Sequence, residues 1–138
     1  MRHDPDPPVV LIAERDETVR GLQEYFLGKA GFTVVFAGDG EAALEQAREI
    51  RPAVVVTEIL IPKIDGLAMC RRLGEDPATR HVPVIVFSIL AAAGRAAEAG
   101  ARLFLRKPLV ESIFVAAVQD LVAAQPTDAL EEQWTQQP

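Results

Sequence analysis

Short apolar runs alternate along this chain with longer segments whose apolar residues recur every three or four positions. Val9-Val10-Leu11-Ile12-Ala13 is unbroken and apolar, the pattern of a strand covered on both faces. Residues 17–30 predict a helix with Val19, Leu22, Phe26 and Ala30 inward and Gly31 as its stop. Residues 32–37 are rich in strand formers, and Gly38-Asp39-Gly40 is a turn. Residues 41–50 predict a helix buried through Leu44, Ala47 and Ile50, ended by Pro52. Val54-Val55-Val56 opens a third strand, and after a loop from Pro62 to Gly66 a third helix covers residues 67–73. A polar loop (74–81), a strand (82–87), an alanine-rich helix (91–99) closed by Gly100 and a short strand (102–105) come next. The last helix, residues 110–124, turns Ile113, Phe114, Ala117 and Leu121 inward.

Strands that alternate with helices imply a parallel sheet with helices on both faces. Right-handed crossovers restrict the topology to few arrangements, and a flavodoxin-like doubly wound α/β sandwich of five (βα) units, strand order 2-1-3-4-5, suits the pattern. The domain covers residues 9–124, with a disordered lead-in at 1–8 and a polar tail at 125–138. In such sheets ligands sit beyond the carboxyl ends of the strands, at the switch point between strands 1 and 3. That edge collects Glu14-Arg15-Asp16 after strand 1, Glu58 after strand 3, Ser88 after strand 4 and Lys107-Pro108 after strand 5. Strand ends become polar anyway, but one polar group per strand on one edge favours a site.

The chain of 138 residues carries a net charge of −6, which argues against a nucleic-acid surface. Its one cysteine, Cys70, forms no internal disulfide and suits a reducing cytoplasm, where it packs as a small hydrophobe. No apolar run approaches the ~20 residues of a membrane span, and MRHDPDPP lacks the apolar core of a signal peptide. A cytoplasmic, soluble protein is expected. His3 and His81 have no ligand cluster at metal spacing. Gly38-Asp39-Gly40 is not followed by the Gly-Lys-Ser/Thr of a phosphate loop. Trp134 in the tail is a candidate to anchor a partner or to fold back on the domain, or else a linker remnant.

From about residue 9 to 122 the chain resembles the receiver domain of two-component response regulators. The resemblance lies in the acidic end of strand 1, the Gly31-Phe32 step, Ala37-Gly38-Asp39-Gly40-Glu41-Ala42-Ala43-Leu44, Pro62-Lys63-Ile64-Asp65-Gly66, Pro83-Val84-Ile85, Ala99-Gly100-Ala101 and Lys107-Pro108. It implies an acidic pair for Mg²⁺ at Glu14 and Arg15, and a phosphoacceptor position at Glu58. It also implies phosphoryl contacts at Ser88 and Lys107 and a switch aromatic at Phe104. Three of these depart from the family's pattern. Glu58 replaces aspartate and carries its carboxylate about 1.5 Å, one C–C bond, further out. In-line phosphoryl transfer depends on positioning, and a misplacement of about 1 Å can cost roughly a hundredfold in rate. Arg15 puts a guanidinium where Mg²⁺ needs an anionic oxygen, so Mg²⁺ binding is expected to be lost or weak and no cofactor is expected. Asp16 can substitute as a ligand or cap the helix that follows it. Phe104 has no hydroxyl to satisfy, which favours its buried position; a plain core role is the alternative.

The expected function is an atypical receiver, not an enzyme, that acts as a protein-interaction module without aspartyl phosphorylation. Its partners would be a histidine kinase, another regulator or a second copy, met through the face of helix 4, strand 5 and helix 5. Two versions stay open. In one, Glu58 sits between Arg15 and Lys107 with a hydrogen bond from Ser88 and imitates an acyl phosphate. In the other, Glu58 and Arg15 form a structural ion pair with no active-like state. Rival readings are a working phosphoacceptor and an unrelated small-molecule or flavin binder on the same sheet order.

Overall fold

Strand register decides where this chain places its polar groups. The computed structural model describes residues 6–125. Its strands are β1 (Val9–Ala13), β2 (Thr33–Ala37), β3 (Val54–Thr57), β4 (Val84–Ser88) and β5 (Leu103–Arg106). They form one parallel sheet in the order β2-β1-β3-β4-β5, as expected. Between them run helices α1 (Glu17–Lys29), α2 (Gly40–Ile50), α3 (Gly66–Glu75), α4 (Ala93–Glu98) and α5 (Glu111–Ala123). Side chains alternate across the sheet. Leu11, Val55, Val84 and Val86 therefore meet Ala43, Ala47, Met69, Leu73 and Ala96 on one face. Val10, Ile12, Val54, Val56, Ile85 and Phe87 meet Leu27, Phe114, Val118 and Leu121 on the other.

The register pairs Ala13 with Thr57 and Ser88 with Arg106. One residue further on, the Glu58 amide donates to the Ala13 carbonyl (3.0 Å) and the Lys107 amide to the Ser88 carbonyl (2.9 Å). The ladder thus delivers Glu14, Glu58 and Lys107 to one edge. Asp16, Asp39 and Asp65 then start the next helices, each accepting from amides of the first turn of α1, α2 or α3.

Several inward faces differ from expectation. α1 buries Gln23 and Leu27, while Leu22 is 41% exposed beside the exposed Tyr25; Val19, Phe26 and Ala30 are half-buried. α2 buries Ala43 and Ala47, leaving Leu44 half-buried and Ile50, its last residue, exposed. α5 buries Phe114, Ala117, Val118 and Leu121 but leaves Ile113 56% exposed. That helix is apolar on more than one side, so periodicity alone does not choose its face. β4 begins at Val84, since the Val82 amide bonds Thr79 in a turn and Pro83 has no N–H. β5 starts and ends one residue later than expected. α3 runs on past Gly74, and α4 is shorter than expected and has no side-chain cap. Cys70 is buried, and burial pushes its thiol up to about 11, consistent with a packing role. His3, Trp134 and most of the expected lead-in and tail lie outside the described residues.

The loop after β3 is held from below by two glycines. A Cβ on Gly66 would overlap the Glu58 carbonyl oxygen, and one on Gly40 the Ile64 carbonyl oxygen. Gly66→Ala should therefore lower stability to urea by about 1–3 kcal/mol, the usual cost of overpacking. Gly28→Ala, inside α1 with nothing within 4 Å of the added carbon, should leave stability unchanged or raise it by up to about 1 kcal/mol. Urea midpoints of the two variants check this.

Candidate functional site

Glu14, Glu58 and Lys107 come together where β1, β3 and β5 end. The Lys107 ammonium lies 3.1 Å from both Glu14 oxygens and 3.1 Å from Oε2 of Glu58. All three side chains are buried or nearly so, at 1%, 4% and 12% exposure for Glu14, Glu58 and Lys107. The ammonium also lies 5.5 Å from the centre of the Phe87 ring, which covers it from the side of α5.

The remaining lone pairs are served by backbone. Oε2 of Glu14 accepts from the Asp16 amide (3.2 Å). Oε1 of Glu14 has the ion contact with Lys107 but no aligned hydrogen-bond donor. Glu58 turns back on its own loop, where Oε1 accepts from the Ile59 amide (2.6 Å) and the Leu60 amide (3.4 Å). The Thr57 hydroxyl donates to the Glu58 carbonyl (2.8 Å) and fixes the strand end beneath it. The Ser88 hydroxyl oxygen accepts from the Leu90 amide (3.1 Å).

Burial pushes the Glu58 carboxyl up. The Ser88 hydroxyl, the Lys107 ammonium and the Ile59 amide together pull it further down, so it lies below its ordinary 4.5. Burial likewise lowers Lys107, and its contacts with Glu14 and Glu58 outweigh this, leaving it above the ordinary 10.5.

Above these groups opens a crevice of about 340 Å³, walled by Leu60 and Ile89 and rimmed by Arg15 and Asp16. Leu60 and Ile89 are 46% and 55% exposed. Asp16 does not turn inward: its carboxylate caps α1 at the Thr18 and Val19 amides. Arg15 is exposed and, among the described residues, pairs with neither carboxylate. This corrects both versions of the expected pairing, because Glu58 is held by Lys107 and by backbone and never meets Arg15. Phe104 stands apart, half-buried against the cluster shared with α2, α3 and α4, and also borders a smaller pocket of about 180 Å³ with Val110 and Ile113. Two features went unnoticed in the sequence: Leu60 and Ile89 as crevice walls, and Glu14 as the main partner of Lys107. The walls carry only a weak signal, each standing one or two residues beyond a strand-end polar group.

Among the described residues, no three or more His, Cys, Asp or Glu side chains are arranged to hold a metal ion. No described helix is long and apolar enough to cross a membrane.

The strand order and the polar strand ends define a doubly wound α/β domain with a charged crevice at its carboxyl edge, and comparison with known proteins gives its family. A family model described as the response regulator receiver domain matches residues 10–119. Over 115 residues the chain is 33% identical to the response regulator PleD of Caulobacter vibrioides, covering 81% of this chain and 25% of PleD. It is 28% identical over 116 residues to the polar-differentiation response regulator DivK of Brucella anthropi, covering 82% of this chain and 94% of DivK. The crystal structure of a putative response regulator from Chloroflexus aurantiacus superposes with a TM-score of 0.81 at 32% identity, covering 85% of this chain and 98% of that one. The chain belongs to the response regulator receiver family of two-component signalling. It spans a quarter of PleD's length and 49% of that of CseB from Streptomyces coelicolor. Receiver domains are signalling modules that interact with histidine kinases and other regulators.

The pKa directions set a pH dependence. Glu58 is depressed, so its contribution to stability is present above the ordinary 4.5 and is lost as pH falls through its lower folded value. Lys107 is raised, so its contribution is present below 10.5 and is lost as pH rises through its higher folded value. Between about pH 5 and about pH 10 the pair is fully ionised and its contribution is level. The stability advantage of the wild type over Glu58→Gln should therefore shrink as pH falls below the ordinary 4.5 and through the lower folded value. Urea midpoints at several pH values measure this; a constant gap would assign the effect to packing instead.

Proposed function

We propose that this receiver works as a protein-interaction module whose surface is not set by aspartyl phosphorylation. The observation that carries the reading is the state of Glu58. Its carboxylate is 4% exposed, one oxygen lies on Lys107 and the other on the Ile59 amide. A phosphoacceptor must present a free carboxylate oxygen in line with its donor. A glutamate folded back into its own loop does not present one.

Mg²⁺ fits this donor set poorly. Magnesium needs near-octahedral oxygen ligands at about 2.0–2.1 Å. Here the two inward carboxylates already share an ammonium, Asp16 is spent on capping α1, and the neighbouring side chain is the guanidinium of Arg15. The output face would be that of α4, β5 and α5, where Ile89, Leu103, Val110 and Ile113 are exposed apolar residues. Its partner would be a histidine kinase, a second regulator or another copy of the chain, in a cytoplasmic setting.

Incubation with acetyl phosphate and Mg²⁺, followed by intact mass, should give no stoichiometric labile phosphate on the wild type. Restoring both acids in Arg15→Asp/Glu58→Asp should give a labelled protein. Wild-type labelling would overturn the reading in favour of a working phosphoacceptor. For the face, Ile113→Glu should abolish capture of the wild type's partner with little effect on stability, since the side chain is already exposed. Parallel pull-down and thermal melts check it.

A further inference from the structure

We propose that the acidic segment 128–134 folds back over the face of α4, β5 and α5 and seats Trp134 in the pocket between β5 and α5. The chain then carries its own cover for the surface assigned above to partners. That consequence rests on the assignment above, while the docking itself does not.

The face is basic in an acidic chain. The protein carries a net charge of −6, yet from residue 92 to 106 three arginines, Arg95, Arg102 and Arg106, stand against one acid, Glu98. All three arginines are exposed, and none has a carboxylate partner among the described residues. Beside them lie Leu103, Val110 and Ile113, 37%, 46% and 56% exposed. A pocket of about 180 Å³ opens there, walled by Phe87, Phe104, Pro108, Val110 and Ile113, with Arg106 also in its lining. Apolar surface flanked by unpaired cations fits an acidic segment with an aromatic anchor.

Residues 126–138 have that chemistry. They hold Asp128, Glu131 and Glu132 and no Lys or Arg, and their large apolar residues are Leu130 and Trp134. Direction agrees as well. The Gln125 side chain donates to the Ala53 carbonyl (2.6 Å), next to the start of β3, so α5 ends at the amino edge of the sheet. Because the strands are parallel, Arg102 precedes β5 at that same edge and Arg106 ends it at the other. A chain returning from Gln125 to the pocket therefore passes Arg102 before Arg106, and it presents Asp128 before Glu131 and Glu132. Reach is sufficient. Ile113 and Val110 lie 12 and 15 residues back from Gln125, about 18–23 Å at 1.5 Å per residue. The nine residues from 126 to 134 extend to about 30 Å. Tethering favours this segment over a free partner of the same chemistry, since a short link holds it near the face at an effective concentration on the order of millimolar.

Trp134 is the only tryptophan of the chain, so its fluorescence reports the docking in the full chain. Its acrylamide quenching constant should be severalfold below that of free N-acetyltryptophanamide, with emission shifted to the blue. Ile113→Glu and Arg102→Glu should each bring quenching close to the free value, and adding Asp128→Arg to Arg102→Glu should restore the protection. Ala116→Glu, at an exposed position of α5 beside α1, should leave it unchanged. Thermal melts check that each variant is folded; if Ile113→Glu is not, Arg102→Glu and its charge swap decide. Quenching equal to that of the free compound overturns the proposal. So does protection that survives Ile113→Glu and Arg102→Glu, or a charge swap that fails to restore it. Loss of protection in Ala116→Glu would place the segment in the groove between α1 and α5 instead, and loss on hundredfold dilution would make the occupant a second copy's tail; either result overturns the proposal. Phosphate labelling of the wild type would refute the function proposed above without moving the Trp134 signal, so the two failures are distinguishable.

Discussion

A single buried ammonium shared by two carboxylates ties the ends of β1, β3 and β5 together. Burying three charges carries a large desolvation cost, repaid only where the remaining lone pairs are also served. The fold meets most of that condition with backbone amides that follow each acid, Asp16 for Glu14 and Ile59 and Leu60 for Glu58, and leaves Oε1 of Glu14 with its ion contact alone. One formal negative charge remains in excess, and the Ser88 hydroxyl together with those amides offsets it. The arrangement works only in the observed register. A slip of one residue in any of the three strands would turn a charged side chain toward the apolar face of a helix layer.

Local devices around the triad serve the same end. Thr57 fixes the carbonyl of Glu58, and Gly66 lets the start of α3 press against that carbonyl. Lys63 adopts a positive φ of 70° to complete the loop between them. The Ser88 hydroxyl oxygen accepts from the Leu90 amide (3.1 Å), and from outside the Arg106 guanidinium donates to the Ile89 carbonyl (3.0 Å). The β4–α4 connection is therefore held from both sides, although α4 itself is a short helix with no side-chain cap.

The sheet order and the strand-end positions of Glu14, Glu58, Ser88 and Lys107 were legible in the sequence. Unbroken apolar runs mark buried parallel strands, and the polar residues that follow each run lie at the sheet's carboxyl edge. Which polar groups meet was not legible. Charge and spacing favoured Arg15 as the partner of Glu58, but consecutive residues leaving a strand diverge: Glu14 continues inward while Arg15 faces solvent. Helix faces failed for a related reason. Leu22 and Ile113 belong to helices with more apolar positions than one buried stripe accommodates, and tertiary packing chose the neighbouring stripe, even at the expense of burying Gln23. That amide has no hydrogen-bond partner among the described residues, a cost that no propensity scale would accept.

The same geometry bears on the two versions of a phosphorylation-independent receiver. Imitation of an acyl phosphate needs negative charge that projects from the strand end toward the hydroxyl and the ammonium with oxygens to spare. The additional methylene of Glu58 does the opposite: it lets the carboxylate curl back until one oxygen rests on the next amide of its own chain. What remains is one charge with both oxygens engaged, an ammonium already claimed by Glu14 and a serine already bonded to Leu90. On the reading proposed here, an electrostatic state of this kind favours neither position of a phosphorylation switch. It would hold the β4–α4 connection in one arrangement, and the constancy of that arrangement is what a partner would recognise.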